Sequence, residues 1–569
     1  MRYERSPAWL SLLLFGLGTS PTLAQTTTRT LAPQSAQFEG FNAALAPVGD
    51  YNSDGVPDLI ASRYQFLIGG GAAEIFSGSN GTRLFSTATA GPLPPGTPSI
   101  VIFLAGASAA GLGDVNSDGI DDFIVGAPEV HPDFPDPGYA IVFAGGTGAA
   151  LKVVGGTGFG NSQNRFGMGA SGPGDINFDG VPDYLVLATN PYNVFAFSGA
   201  NGQLLHTFQQ FPGATQFGAA MASVGDLSGD GATEIVFGAP GTAIVGLGAS
   251  AGAASVSSGS DGAVLRVILG TTVGARLGAS AAALGDVSGD GIPDFALGAP
   301  SAGTGSVKIH SGAGAALLHS LPGAAVGSSF GASMAGVGDL DGDGSGDLLV
   351  GAPTEPGIGG GIGVLRWFSG SAHSLLFEKR GLFPASSDTG LGSRVSALGD
   401  IDSDGIPESA ALGRVTHSSV IGSAHVYATR AGLSELGPGT PGCKGTEYLQ
   451  PFPEPAIGTP LFVIRTTKAP NLSTGLALMA DAGSAGGTDP FGLGILLHVD
   501  LLSATEVLSF DVPSNPQGIG LLAASIPNHA GLIGKTYFTQ FLWLWQPTEC
   551  TPSTYGLASS VGLKIIIQP

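Results

Sequence analysis

The most regular feature of the sequence is a short apolar run that recurs after a polar, glycine-rich turn. Residues 123–128, 235–240 and 348–353 are examples, each rich in branched or aromatic side chains. Another apolar stretch precedes the turn, as at 332–337, and a third follows, as at 139–143. Short apolar runs bounded by turn residues are typical of β-strands. The pattern therefore predicts strands throughout and no long helix.

A fourth strand follows the third through a polar hairpin. Residues 77–81, 198–202 and 258–262 end in Asn-Gly or Asp-Gly, which predicts tight turns with both turn residues at positive φ. Four antiparallel strands repeated seven times are the pattern of β-propeller blades, which bury their faces only by stacking. We predict that residues 28–31 complete the seventh sheet beside residues 425–429.

The polar turn between the first and second strands carries the candidate chemistry. It is a nine-residue loop with oxygen-bearing side chains at positions 1, 3, 5 and 9 and glycine at position 6, repeated every 50 to 65 residues or so. Position 1 is Asp50, Asp114, Asp175, Asp226, Asp286, Asp339 and Asp400. Position 3 is Asn52, Asn116, Asn177, Ser228, Ser288, Asp341 and Asp402. Position 5 is Asp54, Asp118, Asp179, Asp230, Asp290, Asp343 and Asp404, and position 9 is Asp58, Asp122, Asp183, Glu234, Asp294, Asp347 and Glu408.

Hard oxygen ligands at alternate positions of a tight loop suit Ca²⁺, which takes six to eight oxygens. Empty loops would also bring carboxylates of like charge together. The sequence thus predicts up to seven Ca²⁺ ions with a structural role, the longer Glu234 and Glu408 binding differently. The alternative is a set of solvated Asx turns, in which the same side chains only accept backbone hydrogen bonds.

Composition supports an exported, two-part protein. The chain has 569 residues, 95 of them glycine, and a formal charge of −22, and more than half of its 43 acidic residues belong to the loops. No basic patch is present, which argues against nucleic acid. Residues 1–24 have the charged start, apolar core and small-residue cleavage site of a secretory signal. No later stretch reads as transmembrane, so we expect a secreted or cell-surface protein.

The repeats end before the last quarter of the chain. We expect the propeller over 25–432, a linker at 433–442 and a smaller β-sandwich at 443–569, with strands at 461–466, 475–480, 494–501, 507–512, 518–525, 537–545 and 562–567. The two cysteines, Cys443 and Cys550, bracket this domain. In an exported chain we expect them to form a disulfide, and two buried free thiols are the alternative.

The repeats resemble the FG-GAP repeats of the integrin α-subunit propeller. Phe-Gly opens repeats at Phe166, Phe217 and Phe330, and Gly-Ala-Pro begins at Gly126, Gly238, Gly298 and Gly351, whereas the first and last repeats depart from Gly-Ala-Pro. The resemblance implies an all-β, seven-bladed propeller with the acidic loops on one face and a binding surface on the other. A long loop of that second face offers four candidate ligand contacts, His131, Asp133, Phe134 and Asp136. A solvated insertion is the other interpretation.

Catalytic motifs do not emerge from the sequence. A G-x-S-x-G match at 327–331 overlaps a Phe-Gly opening and no helix follows it. We therefore expect a non-enzymatic binding or adhesion module whose propeller face engages protein or glycan. The alternatives are a structural component of a cell surface or matrix, and an accessory or hydrolytic module acting on surface polymers. The sequence leaves the oligomeric state open.

Overall fold

The protein is built almost entirely of β-strands. A computed structural model describes residues 23–31, 41–65, 70–89, 105–128, 137–157, 159, 164–356, 362–381, 390–402, 405–413 and 423–431. Further along the chain it describes residues 433–437, 449–452, 462–466, 474–488, 497–501, 503–505, 507–514, 520–524, 532, 535–545, 556–560 and 562–566. The chain divides into two compact units, one being Thr27–Ala428 and the other containing Thr429–Pro569.

The first unit contains seven four-stranded antiparallel sheets, numbered here in chain order. Sheet 1 is β2 (Leu45–Gly49), β3 (Asp58–Gln65), β4 (Gly70–Phe76) and β5 (Arg83–Ser86), followed by a 3-10 turn at Thr87–Thr89. Sheet 2 is β6 (Ser108–Gly113), β7 (Asp122–Ala127), β8 (Tyr139–Phe143) and β9 (Ala150–Gly155). Sheet 3 is β10 (Gly169–Gly174), β11 (Asp183–Thr189), β12 (Tyr192–Phe197) and β13 (Leu204–Gln209). Sheet 4 is β14 (Met221–Ser223), β15 (Glu234–Ala239), β16 (Ala253–Ser258) and β17 (Val264–Leu269).

The remaining three sheets repeat the same strand order. Sheet 5 is β18 (Ser280–Gly285), β19 (Asp294–Ala299), β20 (Ser306–His310) and β21 (Leu317–Pro322). Sheet 6 is β22 (Ser333–Gly338), β23 (Asp347–Pro356), β24 (Ile362–Phe368) and β25 (Leu375–Arg380). Sheet 7 is β26 (Val395–Gly399), β27 (Glu408–Gly413), β28 (Ser423–Ala431) and β1 (Leu23–Leu31), so its fourth strand comes from the start of the chain. The predicted pairing of the N-terminal strand with the seventh sheet is confirmed.

Neighbouring sheets are held together by apolar clusters. The second strands β7, β15 and β19 are buried along their whole length, and because successive side chains point to opposite faces, each contributes to two clusters. On β7, Phe123 and Val125 pack with sheet 1, whereas Ile124 packs with sheet 3. A further cluster joins sheet 7 to sheet 1 through Leu412 and Leu59. First strands contact one another in the same cyclic order, an arrangement consistent with a β-propeller.

The Phe-Gly and Gly-Ala-Pro motifs of neighbouring repeats meet at these sheet boundaries. Gly126 lies so close to the neighbouring sheet that a Cβ there would stand 1.9 Å from the carbonyl oxygen of Gly167. Gly238 has the same relation to Gly278. The glycine of Gly-Ala-Pro is therefore required where it faces the glycine that opens the next repeat, which follows Phe166 in one case and Leu277 in the other. In sheet 1 this position is Ser62, whose Oγ donates to the carbonyl of Gly106 at 2.8 Å.

One expectation about the hairpins is wrong. Gly81, Gly202 and Gly262 have positive φ, but Asn80 and Asn201 do not. The turn is longer than a two-residue hairpin, because Ser77 N–H donates to the carbonyl of Thr82 and Gly81 N–H donates to the carbonyl of Ser77. The asparagine instead uses its side chain: Thr82 N–H donates to Asn80 Oδ1 at 2.8 Å.

The second unit contains three sheets. Its strands are β29 (Leu433–Gly437), β30 (Leu449–Phe452), β31 (Phe462–Thr466), β32 (Thr474–Ala480), β33 (Gly483–Thr488), β34 (Leu497–Val499), β35 (Val507–Pro513), β36 (Gly520–Ala524), β37 (Thr536–Trp545), β38 (Gly556–Ser559) and β39 (Gly562–Ile566). One sheet has the order β29-β39-β37-β32-β35 with β38 beside β37, the second has β30-β31-β36, and the third pairs β33 with β34. Ile464 of the second sheet and Trp543 of the first lie in the same buried cluster. All seven predicted strands are present; β29, β30, β33 and β38 were not predicted.

Candidate metal sites in the seven acidic loops

Each acidic loop connects the first strand of a sheet to the second. Positions 1, 3 and 5 lie at the surface or partly buried, and position 9 is the first residue of the second strand. A glycine with positive φ precedes position 1 in every repeat. In every repeat but the fourth it pairs with position 9 at a break in the strand register, as Gly49 does with Asp58. This is a β-bulge that turns the chain out of the sheet. The Gly-Asp pair was visible seven times in the sequence, but its role was not predicted.

The loop backbone is wound tightly around the carboxylate of position 1. In repeat 1, Asp54 N–H donates to Asp50 Oδ1 at 3.0 Å and Gly55 N–H donates to Asp50 Oδ2 at 2.7 Å. Val56 N–H donates to Asp54 Oδ1 at 3.0 Å. The Asx turns of the alternative interpretation therefore form. They do not exclude a cation, because each carboxylate oxygen has two lone pairs.

Winding the loop this way requires left-handed backbone at two positions. Position 6 is glycine with φ between 83° and 91° in all seven repeats. In repeats 1 to 6 position 4 is also left-handed, and in repeats 1 to 3 it is not glycine but Ser53, Ser117 and Phe178, with φ of 57°, 61° and 62°. Serine and phenylalanine do not favour left-handed backbone, yet they adopt it here. This indicates that the hydrogen bonds to the carboxylate of position 1 determine the loop conformation.

Position 9 is a buried carboxylate that connects three parts of its sheet. Asp58 Oδ2 accepts Tyr51 N–H from its own loop at 3.0 Å, and Oδ1 accepts Gly78 N–H from the hairpin after the third strand at 2.8 Å. Asp122, Asp183, Asp294 and Asp347 make the same pair of contacts. Sequence reasoning treated these residues only as metal ligands and missed this structural role.

Burial destabilises the ionised form of these carboxylates when no positive charge lies nearby. Desolvation raises the pKa of Asp58 and of Asp183 to about 6, and that of Asp347 to about 7. Neighbouring loop carboxylates raise the pKa further. A cation bound by the loop would stabilise the ionised form by supplying the missing positive charge.

Repeat 4 differs at position 9, where glutamate replaces aspartate. Glu234 Oε2 accepts Ser228 N–H at 3.1 Å as well as Leu227 N–H. Glu234 is fully buried, and its Oε1 has no hydrogen-bond partner within the described residues. An orphaned, buried carboxylate oxygen beside Asp226 and Asp230 fits a cation, because nothing else in the described surroundings satisfies it.

Three loops bring three carboxylates close enough to share one ion. Oxygens within each set lie within 4.8 Å of one another, the sets being Asp226, Asp230 and Glu234; Asp339, Asp341 and Asp347; and Asp400, Asp402 and Glu408. In repeats 1 to 3 the residue at position 3 is asparagine, whose side-chain nitrogen donates to position 5, as from Asn52 to Asp54 Oδ2 at 3.1 Å. Repeats 4, 6 and 7 are therefore the strongest metal candidates by geometry.

Serines from the hairpin after the third strand close over position 5. Ser79 Oγ donates to Asp54 Oδ2 at 2.7 Å, and Ser260 Oγ donates to Asp230 Oδ2 at 3.0 Å. Sequence reasoning missed these contacts, although serine recurs at the same place in both hairpins.

Comparison with known proteins matches two of these loops to a family model. The FG-GAP repeat model matches residues 278–315 and 330–365, which include the loops beginning at Asp286 and Asp339. The chain carries FG-GAP repeats. It is 33% identical over 183 residues to integrin alpha-PS5 of Drosophila melanogaster, an alignment that covers 30% of this chain and 18% of that protein. To integrin alpha-V of Gallus gallus it is 30% identical over 199 residues, 32% of this chain and 19% of that protein.

A relative of another kind shares the similarity. Phosphatidylinositol-glycan-specific phospholipase D of Bos taurus is 31% identical over 206 residues, 31% of this chain and 24% of that protein. The chain thus matches less than a quarter of the length of each of these relatives. FG-GAP repeats are the shared element, and the activity of each whole protein is a separate question.

Several predicted features lie outside the described residues. These are most of the signal segment, His131, Asp133, Phe134 and Asp136 of the long loop, Asp404, and both Cys443 and Cys550. None of the helical segments in the described part of the chain has the length and apolar character that a membrane crossing needs.

Proposed function

We propose that this protein is an exported, calcium-binding FG-GAP propeller that acts as a non-catalytic binding or adhesion module for protein or glycan. The observation that carries the proposal is the seven-fold repetition of one acidic loop at the same corner of seven sheets. The similarity to integrin alpha-PS5 and alpha-V supports a binding role. The seven sheets would form seven blades, closed by β1, over residues 25–432.

The rest of the chain completes the proposed architecture. Two sheets that share a buried cluster support a β-sandwich over 443–569, and β29, within the segment 433–442 expected as a linker, adds a strand to it beside β39. A Cys443–Cys550 disulfide would close this domain in an oxidising compartment. A secretory signal at 1–24 would direct the chain outside the cell, where the environment is oxidising and calcium is abundant enough for the loops to bind it.

Calcium would have a structural role at the loop corners. Each ion would be held by positions 1, 3, 5 and 9, and it would offset the like charges that the loop brings together. Because the ligands converge only in the folded chain, binding and folding are coupled. We expect excess EDTA to lower the melting temperature markedly, measured by circular dichroism, and readdition of Ca²⁺ to restore it. An unchanged melting temperature would refute a structural role for calcium.

Repeat 4 offers a sharper test of the same idea. Glu234→Gln keeps the size of the side chain and removes its charge, so we expect it to lower by one the number of Ca²⁺ ions bound per chain in calorimetric titration. Asp261→Asn is the control, because Asp261 is an exposed carboxylate in the hairpin of the same sheet and belongs to no loop position. Equal stoichiometry in both variants would exclude the site.

The binding role is tested by incubating the purified chain with protein and glycan arrays, with and without Ca²⁺. A calcium-dependent ligand would support the proposal. Retention at the cell surface without any soluble ligand would favour a structural matrix role instead.

The similarity to a phospholipase D favours one further candidate, an accessory or hydrolytic module acting on surface polymers. Turnover of a glycan, ester or phosphodiester substrate, abolished by a single side-chain substitution, would establish it. Propellers host many unrelated functions, so the shared repeats alone do not decide between these roles.

A further inference from the structure

A cavity lies at the ends of the first strands opposite to the acidic loops. It has a volume of about 470 Å³, within the usual range of ligand pockets. Its lining includes Ala43 and Arg394, which lie just before the starts of β2 and β26. The acidic loops begin just after the ends of the same strands, at Asp50 and Asp400. The pocket and the candidate calcium sites are therefore separate, at opposite ends of the same strands.

The pocket is positively charged in a strongly acidic protein. Arg276 and Arg394 both contribute to its lining, which contains no carboxylate among the described residues. The whole chain has only 21 lysines and arginines against 43 acidic residues. Neither arginine forms a salt bridge to a carboxylate of the described residues. Two uncompensated guanidinium groups in one cavity create a local potential that attracts anions.

Both arginines are oriented by neutral partners. Arg276 Nη2 donates to Gln216 Oε1 at 2.9 Å. Arg394 Nε donates to the carbonyl of Ala43 at 2.9 Å, and its Nη1 donates to the carbonyl of Ser393 at 3.0 Å. The Nη2 group of Arg394 keeps its donors unused among the described residues.

The remaining lining limits the kind of anion. Tyr64, Tyr192 and Met168 provide apolar surface beside the arginines. A guanidinium presents a planar fork that pairs with both oxygens of a carboxylate. A ligand carboxylate would meet no like charge there, because the described lining contains no carboxylate. These features favour an acidic side chain, whose methylene groups would contact the rings.

We propose that this pocket binds an aspartate or glutamate carboxylate presented by an acidic peptide segment of a protein partner. The inference rests on the proposed binding function for the existence of a partner, and it adds the ligand chemistry. It concerns residues that belong to none of the acidic loops.

The test measures fluorescence anisotropy of a labelled peptide with a central run of glutamates, added to the full chain in Ca²⁺. The matched peptide carries glutamines in place of the glutamates. We compare Arg276→Gln and Arg394→Gln with the wild-type chain, and Arg266→Gln is the control because Arg266 lies exposed on β17, away from the pocket. Melting temperatures of all variants show whether each one folds.

We expect the glutamate peptide to bind and the glutamine peptide not to bind. Each pocket substitution should weaken binding roughly tenfold, since a charge-assisted hydrogen bond is lost, whereas the control should bind as the wild-type chain does. Arg276→Lys, which keeps the charge but not the fork, should recover part of the affinity. Absence of binding to the wild-type chain, equal binding of both peptides, or binding unchanged by both folded pocket variants would overturn the inference.

Two further measurements distinguish the peptide pocket from an acidic-glycan pocket and from the proposed calcium sites. An oligogalacturonate that binds through both arginines while the peptide does not would overturn the peptide assignment in favour of an acidic glycan. Calcium titration of the same variants reports on the proposed function independently. A chain that binds no Ca²⁺ but binds the peptide through Arg276 and Arg394 would refute the calcium sites and retain the pocket.

Discussion

At the scale of single residues, position 9 shows how one side chain serves two purposes. Asp183 accepts N–H groups from Ile176 in its loop and Gly199 in the hairpin, at 3.0 Å each, while it stands where a loop cation would bind. The spacing of the sequence predicted Asp183 as a candidate ligand, because ligands alternate in a tight loop. It did not identify the second partner, since Gly199 approaches only after the third strand has folded back.

Left-handed backbone at position 6 gives a clean test of loop strain. Gly180 has φ of 86° and open space around the position of a Cβ. Gly180→Ala should therefore lower the free energy of unfolding by about 1 kcal/mol, mainly through backbone strain. Phe178 also has positive φ, at 62°, so Phe178→Gly should lower the free energy of unfolding by less than Gly180→Ala does, or should raise it. Chemical denaturation in Ca²⁺ measures both, and equal destabilisation by the two variants would contradict this explanation.

At the scale of elements, close approach between neighbouring sheets determines where glycine is needed. A Cβ on Gly126 would stand 1.9 Å from the carbonyl oxygen of Gly167 and 2.3 Å from Ser108 Oγ. We expect Gly126→Ala to destabilise the protein by about 3 kcal/mol, since two sheets would have to separate locally. The control is Gly314→Ala, where nothing lies within 4 Å of the added carbon. Thermal unfolding curves that shift equally for both would show that the boundary tolerates the methyl group.

A buried histidine on β20 predicts a specific pH dependence. His310 is 5% exposed, stacks on Phe295 at 5.7 Å between ring centroids, and pairs through Nδ1 with the carbonyl of Ala315 at 3.0 Å. Burial lowers its pKa below the ordinary value of 6.5. Below pH 6.5 the unfolded chain binds a proton that the folded chain resists, so stability falls as the pH falls.

The contribution of His310 can be isolated with His310→Phe. We expect the free energy of unfolding of the wild-type chain to fall more steeply between pH 7 and pH 5 than that of the variant, by at most about 1.4 kcal/mol per pH unit. Denaturant titrations at several pH values in saturating Ca²⁺ measure the two slopes. Parallel curves would mean that His310 accepts its proton in the folded protein.

At the scale of the whole molecule, the seventh sheet of the first unit is completed by two distant parts of the chain. β1 (Leu23–Leu31) lies beside β28 in sheet 7, and Leu31 is buried in the cluster that joins sheets 7 and 1. Deleting residues 25–31, the part of β1 that follows the proposed signal, would expose the edge of β28 to pairing with other chains. We expect the deletion to lower the melting temperature and promote association, observed by light scattering.

A synthetic peptide of residues 25–31 should restore the melting temperature of the truncated chain by adding the missing strand in trans. A scrambled peptide of the same composition is the control. Full stability of the truncated chain without any peptide would show that closure does not depend on β1.

The sequence by itself determined the repeat, the four strands of each unit and the candidate ligands, because these depend on local patterns: apolar alternation, turn residues and ligand spacing. The tertiary structure alone decided the contact of Gly126 with Gly167, the hairpin amides on position 9, and the orphaned Oε1 of Glu234. It also decided the pocket, since Arg276 and Arg394 belong to different repeats and face one cavity only after the strands have packed. Local periodicity specifies a unit, whereas the distances between units arise only when their faces are buried against each other.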